Sequence, residues 1–531
     1  MSKKNVRTNP KLYFDNRIPI PDLNGDVNDI LSYGIKLFKG DGIPVNKKEA
    51  SKYFKAAADR GNTDAMELYS SMLMSGDGIP INKKEALKYF KKSADNGNVD
   101  AMFTYAYMLE KGDGVPINTD ESLKYFKKAA DKGNVDAMYE YAVIKETNED
   151  ETSKKESYQY YKKSAQGGKP EAMFKYAYLI DTGKCGITDK VQASKYYKIS
   201  ADQGVPEAMF FYAIMLNTGD GIPINNKQAS KYFKMAADKG IDQAMFSYAV
   251  MLDTGEGIRI DKGKALKYYK MAADKGHEHA MYYYAIALEN GDGIQPDIKE
   301  ALKYYKMSAE LGNEKAMFSY GRMLYHGSGT TVRKKGAASY FKKSADKGFI
   351  QAMKLYALML LNGDGVPTNE KEGLLYLKMA VDEGDQEAIE LIEKHSKLKA
   401  HQKNKRKDGL KFGSATINRE MISLQKSANL KNDVLIDFNP NKSSKSDSVK
   451  YIPYASQSLN SNGSLTSQSM NSVDDDSGQS DNSQITDSVR DVPHKSSQIR
   501  SVSKKDGKND YDEDSSQKVS IEGKSKCCLL V

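Results

Sequence analysis

The stretch AMELYSSMLMSGDGIPINKKEALKYFKKSADNGNVD, residues 65–100, decides the fold. Ala65, Met66, Tyr69, Ser70 and Leu73 recur at helical spacing and share one face of a first helix. Gly76 ends that helix, because glycine takes a positive φ with no Cβ to clash. Asp77 and Gly78 continue the turn, and Pro80 keeps it extended. Asn82 reads as the N-cap of a second helix, with Glu85 three residues on to complete a capping box. The second helix buries Ala86, Tyr89, Phe90, Ser93 and Ala94. Gly97 ends it, and Asn98 stands ready to cap the next first helix.

The unit repeats. Ala-Met recurs at Ala65, Ala101, Ala137, Ala172, Ala208, Ala244, Ala280, Ala316 and Ala352, and Ala388 opens a tenth copy as Ala-Ile. The step is 36 residues, once 35. Counting back from Ala65 lands on Asp29, so full units run from 29 to 387 with a half unit behind them. Glycines close the second helices from Gly61 to Gly384 at the same step. Caps recur at Asn46, Asn82, Asn118, Asp189, Asn225, Asp261, Asp297 and Asn369. Helix pairs repeated at this period signal a solenoid, in which each pair hides its apolar faces against its neighbours.

The first helix, the G-D-G-[IV]-P loop and the following E-A-x-K-Y-[FY]-K-K-A-A-D-x-G-N closely resemble Sel1-like repeats, longer relatives of the tetratricopeptide repeat. The resemblance covers about residues 29–397. It implies an all-α fold, a right-handed α/α superhelical solenoid of ten helix-turn-helix repeats. Four regions follow: a loosely ordered segment 1–28, the solenoid 29–397, a disordered Ser/Asn/Lys/Asp-rich tail 398–523, and a lipidation segment 524–531. The tail holds five aromatics (Phe412, Phe438, Tyr451, Tyr454 and Tyr511), too few apolar groups to offset the entropy of ordering it. Two units break form. The unit from Ala137 has KETNEDET in place of its glycine loop, and the unit from Ala172 has GKCGITD, with Cys185 at a loop-glycine position. Drift in a surface loop and a local bend are both open there, and Cys185 receives no role.

Composition excludes several classes. The apolar share is 39% and the charged share 28%, which fits a soluble chain with a modest core. The net charge of +9 is mild and does not demand nucleic acid. No apolar run follows the charged N-terminus, and no window approaches a membrane span, so a cytoplasmic location is expected. The repeated GDG is a turn. A phosphate loop needs a preceding strand and a Lys-Ser or Lys-Thr pair, and a calcium loop needs alternating oxygen ligands. The histidines are scattered, with only His277 and His279 close, and they fall on different helical faces. No catalytic signature is present. We therefore expect no enzyme, no cofactor, no metal and no small-molecule substrate.

The expected partners are proteins on the concave face lined by the first helices. Two residues past each repeat alanine, an aromatic stands in seven successive units: Phe103, Tyr139, Phe174, Phe210, Phe246, Tyr282 and Phe318. At about 100° per residue this position lies near 200° from the alanine, at the edge of the buried arc. Two readings are open: a ladder that packs helix to helix, or an apolar rail for a peptide. The positions three and six past the alanine vary more, and include Phe211, Ile214, Tyr283 and Ile286. Lysines line the outer side of the second helices, as at Lys88, Lys91 and Lys92, either as a solvated face or as a basic back resting on anionic lipid.

The chain closes on KSKCCLLV. Cys528, Leu529, Leu530 and Val531 fit a C-a-a-X prenylation motif, with Cys528 as the prenyl site. One lipid binds marginally, so a second signal is expected, and Cys527 is the candidate for palmitate. A basic run, Lys397 to Lys407, follows the last repeat. The expected function is a non-enzymatic scaffold or adaptor, peripheral on cytosolic membrane faces through its lipidated tail. The architecture also resembles regulators of a membrane enzyme such as a chitin synthase. A soluble cytosolic adaptor is the third reading.

Overall fold

The computed structural model describes residues 20–407, apart from Glu149 and the side chains past 400. Among them are twenty-one α-helices and no strand, from Val27–Lys39 (α1) to Gln386–Lys407 (α21). Each helix packs chiefly on the one before and the one after it. The helices therefore stack in sequence as an α/α solenoid. The calls on the opening residues and on the tail lie outside the described residues.

Local chemistry sets each element. In the unit quoted above, Thr63–Ser75 (α3) is followed by Lys83–Asp95 (α4). Gly76 closes α3 in the left-handed region at φ +75°, and its N–H donates to Met72 O. The side chain of Asn62 caps α3 through the Ala65 N–H, and Asn98 does the same for the next first helix. All eight caps expected for second helices accept the N–H three residues on.

The capping box differs from expectation. Glu85 accepts from the Asn82 side-chain amide at 3.0 Å, not from its backbone. The Asn82 N–H is already used, since it donates to Leu73 O at 2.8 Å. That loop-closing bond recurs in nine units at 2.7 to 3.0 Å, from Asn46 to Leu37 through Asn369 to Leu360. In those units it ties the start of the second helix to the end of the first.

The core follows the predicted faces with one addition. Ala65, Met66, Tyr69, Ser70 and Leu73 are buried, but so is Met72. Its equivalents Met108, Met215, Met251, Met323 and Met359 are buried too, which widens the apolar arc to about 160°. The repeat alanines are fully buried at the helix crossings, so a larger side chain has no room there.

The glycine loop joins successive units. Gly78 has φ +79°, and a Cβ on it would lie 2.6 Å from Lys47 Cβ in the preceding unit. Asp77 between the two glycines bonds Lys47 Nζ at 2.7 Å. Asp113 pairs with Lys83 in the same way, Asp220 with Lys190 at 2.9 Å, and Asp364 with Lys334 at 2.7 Å. The Asp of GDG is thus both a turn residue and an inter-unit clasp. A second ladder runs between successive second helices, where Tyr89 Oη donates to Asp59 at 2.5 Å and Tyr232 Oη to Asp202 at 2.6 Å.

Candidate partner-binding face

The side of each first helix that flanks its main buried arc carries the residues two, three, six and nine positions past the repeat alanine. The seven aromatics at position two are buried or half-buried. Each meets an aromatic ring of the second helix in its own unit: Phe103 on Phe126, Tyr139 on Tyr161, Phe174 on Tyr197, Phe210 on Phe233, Phe246 on Tyr269, Tyr282 on Tyr305, and Phe318 on Phe341. Ring centroids lie 5.6 to 6.0 Å apart. These contacts hold the two helices of a unit together, and they leave only the outer edges of the rings to the open face.

The variable positions extend that edge across units. Phe211 stacks on Tyr197 of the preceding unit at 5.5 Å and 14°, and also meets Phe174 and Tyr178 at 5.6 Å. Tyr283 stacks on Tyr269 at 5.6 Å and 17°. Ile214, Val250 and Ile286 stand half-buried at position six of three successive units. Together they make an apolar strip on the first helices from Phe174 to Ile286.

Position nine adds carboxylates that the sequence reading passed over. Tyr161 Oη donates to Glu146 at 2.7 Å, Tyr197 Oη to Asp181 at 3.2 Å, and Tyr305 Oη to Glu289 at 2.9 Å. Burial pushes the Tyr161 and Tyr305 hydroxyls well above the usual phenol range, so they stay donors. Arg322 of the next unit reaches both oxygens of Glu289, at 2.6 and 2.8 Å. The signal was a spacing: a tyrosine 15 or 16 residues past an acid.

The unit from Ala101 lacks that match. Phe126 stands sixteen residues past Glu110, where other units place the tyrosine, and the buried Oε2 of Glu110 has no hydrogen-bond partner among the described residues. Phe126→Tyr is therefore expected to raise stability by about 1 kcal/mol, the net worth of one such bond. Chemical denaturation of the two chains measures it, and a drop in midpoint would show that Phe126 leaves no room for the hydroxyl.

The first helices are the more acidic of the two sets. The ten first helices from α1 to Ile350–Asn362 (α19) carry 16 acidic and 8 basic residues, and the ten second helices carry 18 acidic and 35 basic. Burial pushes Glu67 and Glu140 up, with Lys111 and Lys169 opposing it at Glu140. His277 stacks on Phe246 at 4.8 Å, and its Nδ1 accepts the Ala280 N–H as the helix cap. Burial lowers its pKa to about 4, which keeps the ring neutral and the cap intact. His279 lies 6.0 Å from it, centroid to centroid.

The face offers apolar edges beside carboxylates, a surface suited to holding a peptide. Among the described residues no group of three His, Cys, Asp or Glu side chains is placed to hold a metal ion. No described helix is long and apolar enough to cross a membrane. Cys527, Cys528, Leu529, Leu530 and Val531 lie outside the described residues.

Fold and face together define a helical-repeat protein of the α/α solenoid class. The Sel1 repeat model matches ten times in succession, at 32–62, 63–98, 99–134, 135–169, 170–205, 206–241, 242–277, 278–313, 314–349 and 350–385. The chain belongs to the Sel1 repeat family. Among solved structures it is similar to c5321, a protective antigen of uropathogenic Escherichia coli displaying an SLR fold. That likeness has 25% identity and a TM-score of 0.62, over 68% of this chain and 78% of that one. A Sel1 repeat protein from Oxalobacter formigenes is 22% identical with a TM-score of 0.43, over 63% and 96% of the two chains. Yeast Tom70 is 14% identical with a TM-score of 0.28, over 70% and 96%. No curated protein sequence matches the chain.

Proposed function

We propose that this protein is a non-enzymatic scaffold. Its first-helix face holds a peptide segment of a protein partner, and its lipidated tail holds the complex at a cytosolic membrane surface. The observation that carries the reading is the strip of Phe211, Ile214, Val250, Tyr283 and Ile286. These side chains are half-buried at the edge of the core, at positions that vary between units, from Ser71, Thr104, Lys175 and Arg322 to Leu68, Tyr107, Leu355 and Leu358. An apolar strip on a repeat solenoid is the kind of surface that takes up a partner. The acidic residues beside it favour a basic or neutral segment over an acidic one.

The test uses peptides selected from a displayed library on the wild-type chain. Phe211→Ala with Tyr283→Ala is expected to weaken their binding about tenfold or more, with the helical signal retained. Equal binding by both chains would remove the strip from the site. Loss of helicity would assign the two rings to the stack alone.

A further inference from the structure

The outer side of the second helices carries a row that the groove does not use. Two residues past the inner aromatic stand Ile199, Met235, Met271 and Met307, one in each of four successive units. They lie on Lys190–Asp202 (α10), Asn226–Asp238 (α12), Lys262–Asp274 (α14) and Ile298–Leu311 (α16). Four other units place Lys92, Lys128, Lys163 and Lys343 there, and the first and last place Ala56 and Met379. Ile199 is 45% exposed and Met235 42%, so neither is explained by the core, whereas Met271 and Met307 are half-buried against it. Val191, 53% exposed, adds to the patch across a hollow lined by Lys195, Tyr196 and Ile199.

Two lysine rows flank it. Lys198, Lys234, Lys270 and Lys306 are each paired with an acid one helical turn on, at 2.6 to 3.5 Å. Lys195, Lys231 and Lys267 are exposed and make no ion pair among the described residues. Flexible apolar side chains beside unpaired ammonium groups match a surface with phosphates outside and acyl chains just below. A nucleic acid would use the charge and leave the apolar row unexplained. It would also need open rings for stacking, whereas Tyr232 on this side is buried with its hydroxyl held by Asp202, and Tyr196 and Tyr268 are half-buried.

We propose that the outer face of α10, α12, α14 and α16 rests on an anionic bilayer. Ile199 and Met235 enter the headgroup boundary, and Lys195, Lys231 and Lys267 meet lipid phosphates. This rests on the membrane reading of the tail for its setting, and the test separates the two by using the full chain with Cys528→Ser.

That chain is sedimented with phosphatidylcholine vesicles, with and without phosphatidylserine, at low and at physiological salt. Binding is expected only with phosphatidylserine and is expected to weaken with salt. Reversal of Lys195, Lys231 and Lys267 to Glu should lower it on the order of a hundredfold. Ile199→Ser with Met235→Ser should lower it about tenfold. Lys111→Glu on a first helix should leave it unchanged, and circular dichroism checks that each chain keeps its helices. No phosphatidylserine-dependent binding, or equal binding after charge reversal, overturns the proposal. So does tighter binding to duplex RNA that the same reversal abolishes. If the Cys528→Ser chain fails here while the wild type still pellets from cells, the surface is lost and the tether stands.

Discussion

A Cys528→Ser chain is expected to leave the membrane pellet for the soluble fraction when cells expressing it are fractionated. The reason is the arithmetic of weak anchors. Burying a lipid stabilises by about 0.8 kcal/mol per CH2, and one acyl chain alone gives an association constant on the order of 10^4 per molar. A stable hold needs two signals. In the proposed arrangement the first is a prenyl group on Cys528 of the C-a-a-X motif. Palmitate on Cys527 is the second, supported by Lys524, Lys526 and the basic outer face. Prenylation precedes the rest, so Cys528→Ser removes both lipids and leaves the lysines alone, which physiological salt weakens. Cys527→Ser keeps one lipid and is expected to divide between pellet and supernatant. A Cys528→Ser chain that stays in the pellet through a salt wash would end the tether reading. A wild type that is wholly soluble would do the same.

Much of the body was legible because its chemistry is local. Gly76 and Gly97 end helices by their backbone freedom, and Asn82 caps one through a bond three residues away. Such features need no knowledge of the third dimension. The buried set of α4 followed from spacing alone, and that of α3 did so apart from Met72. What escaped were bonds between helices, within one unit or across two. The Asp of GDG looked like a turn residue because its partner, Lys47 for Asp77, stands thirty residues upstream. The Tyr305 and Glu289 pair spans sixteen residues for the same reason. A period of 36 makes such pairs recur, so aligning the units against one another would have exposed them as matched columns. The aromatics at position two were ambiguous because a site at the edge of the buried arc fits core and groove equally. Their depth depends on what the second helix places opposite, and the structure supplies a ring in all seven units. The strip at positions three and six carries the binding proposal instead.

Tyr305→Ala is expected to cost about 3–5 kcal/mol, the usual range for deleting a buried aromatic side chain. Tyr305 is 1% exposed, and its ring packs on Tyr282 at 5.9 Å. Its hydroxyl holds Glu289, and Glu289 in turn holds Arg322 of the next unit. The substitution therefore opens a cavity inside one unit and loosens the clasp to its neighbour. In a solenoid the damage should stay local, because stability is nearly a sum of unit and nearest-neighbour terms. Hydrogen exchange is expected to quicken in α15 (Glu278–Asn290), α16 and α17 (Glu314–His326), and to stay unchanged in α3 and α4. Tyr305→Phe divides the effect. It keeps the ring and removes one bond to a carboxylate that retains Arg322, so a loss nearer 1 kcal/mol is expected. If Tyr305→Phe costs as much as Tyr305→Ala, the clasp and not the packing sets stability at this crossing. If exchange quickens equally in every unit, the chain unfolds as one block, and nearest-neighbour coupling is too strong for the units to be treated as separable.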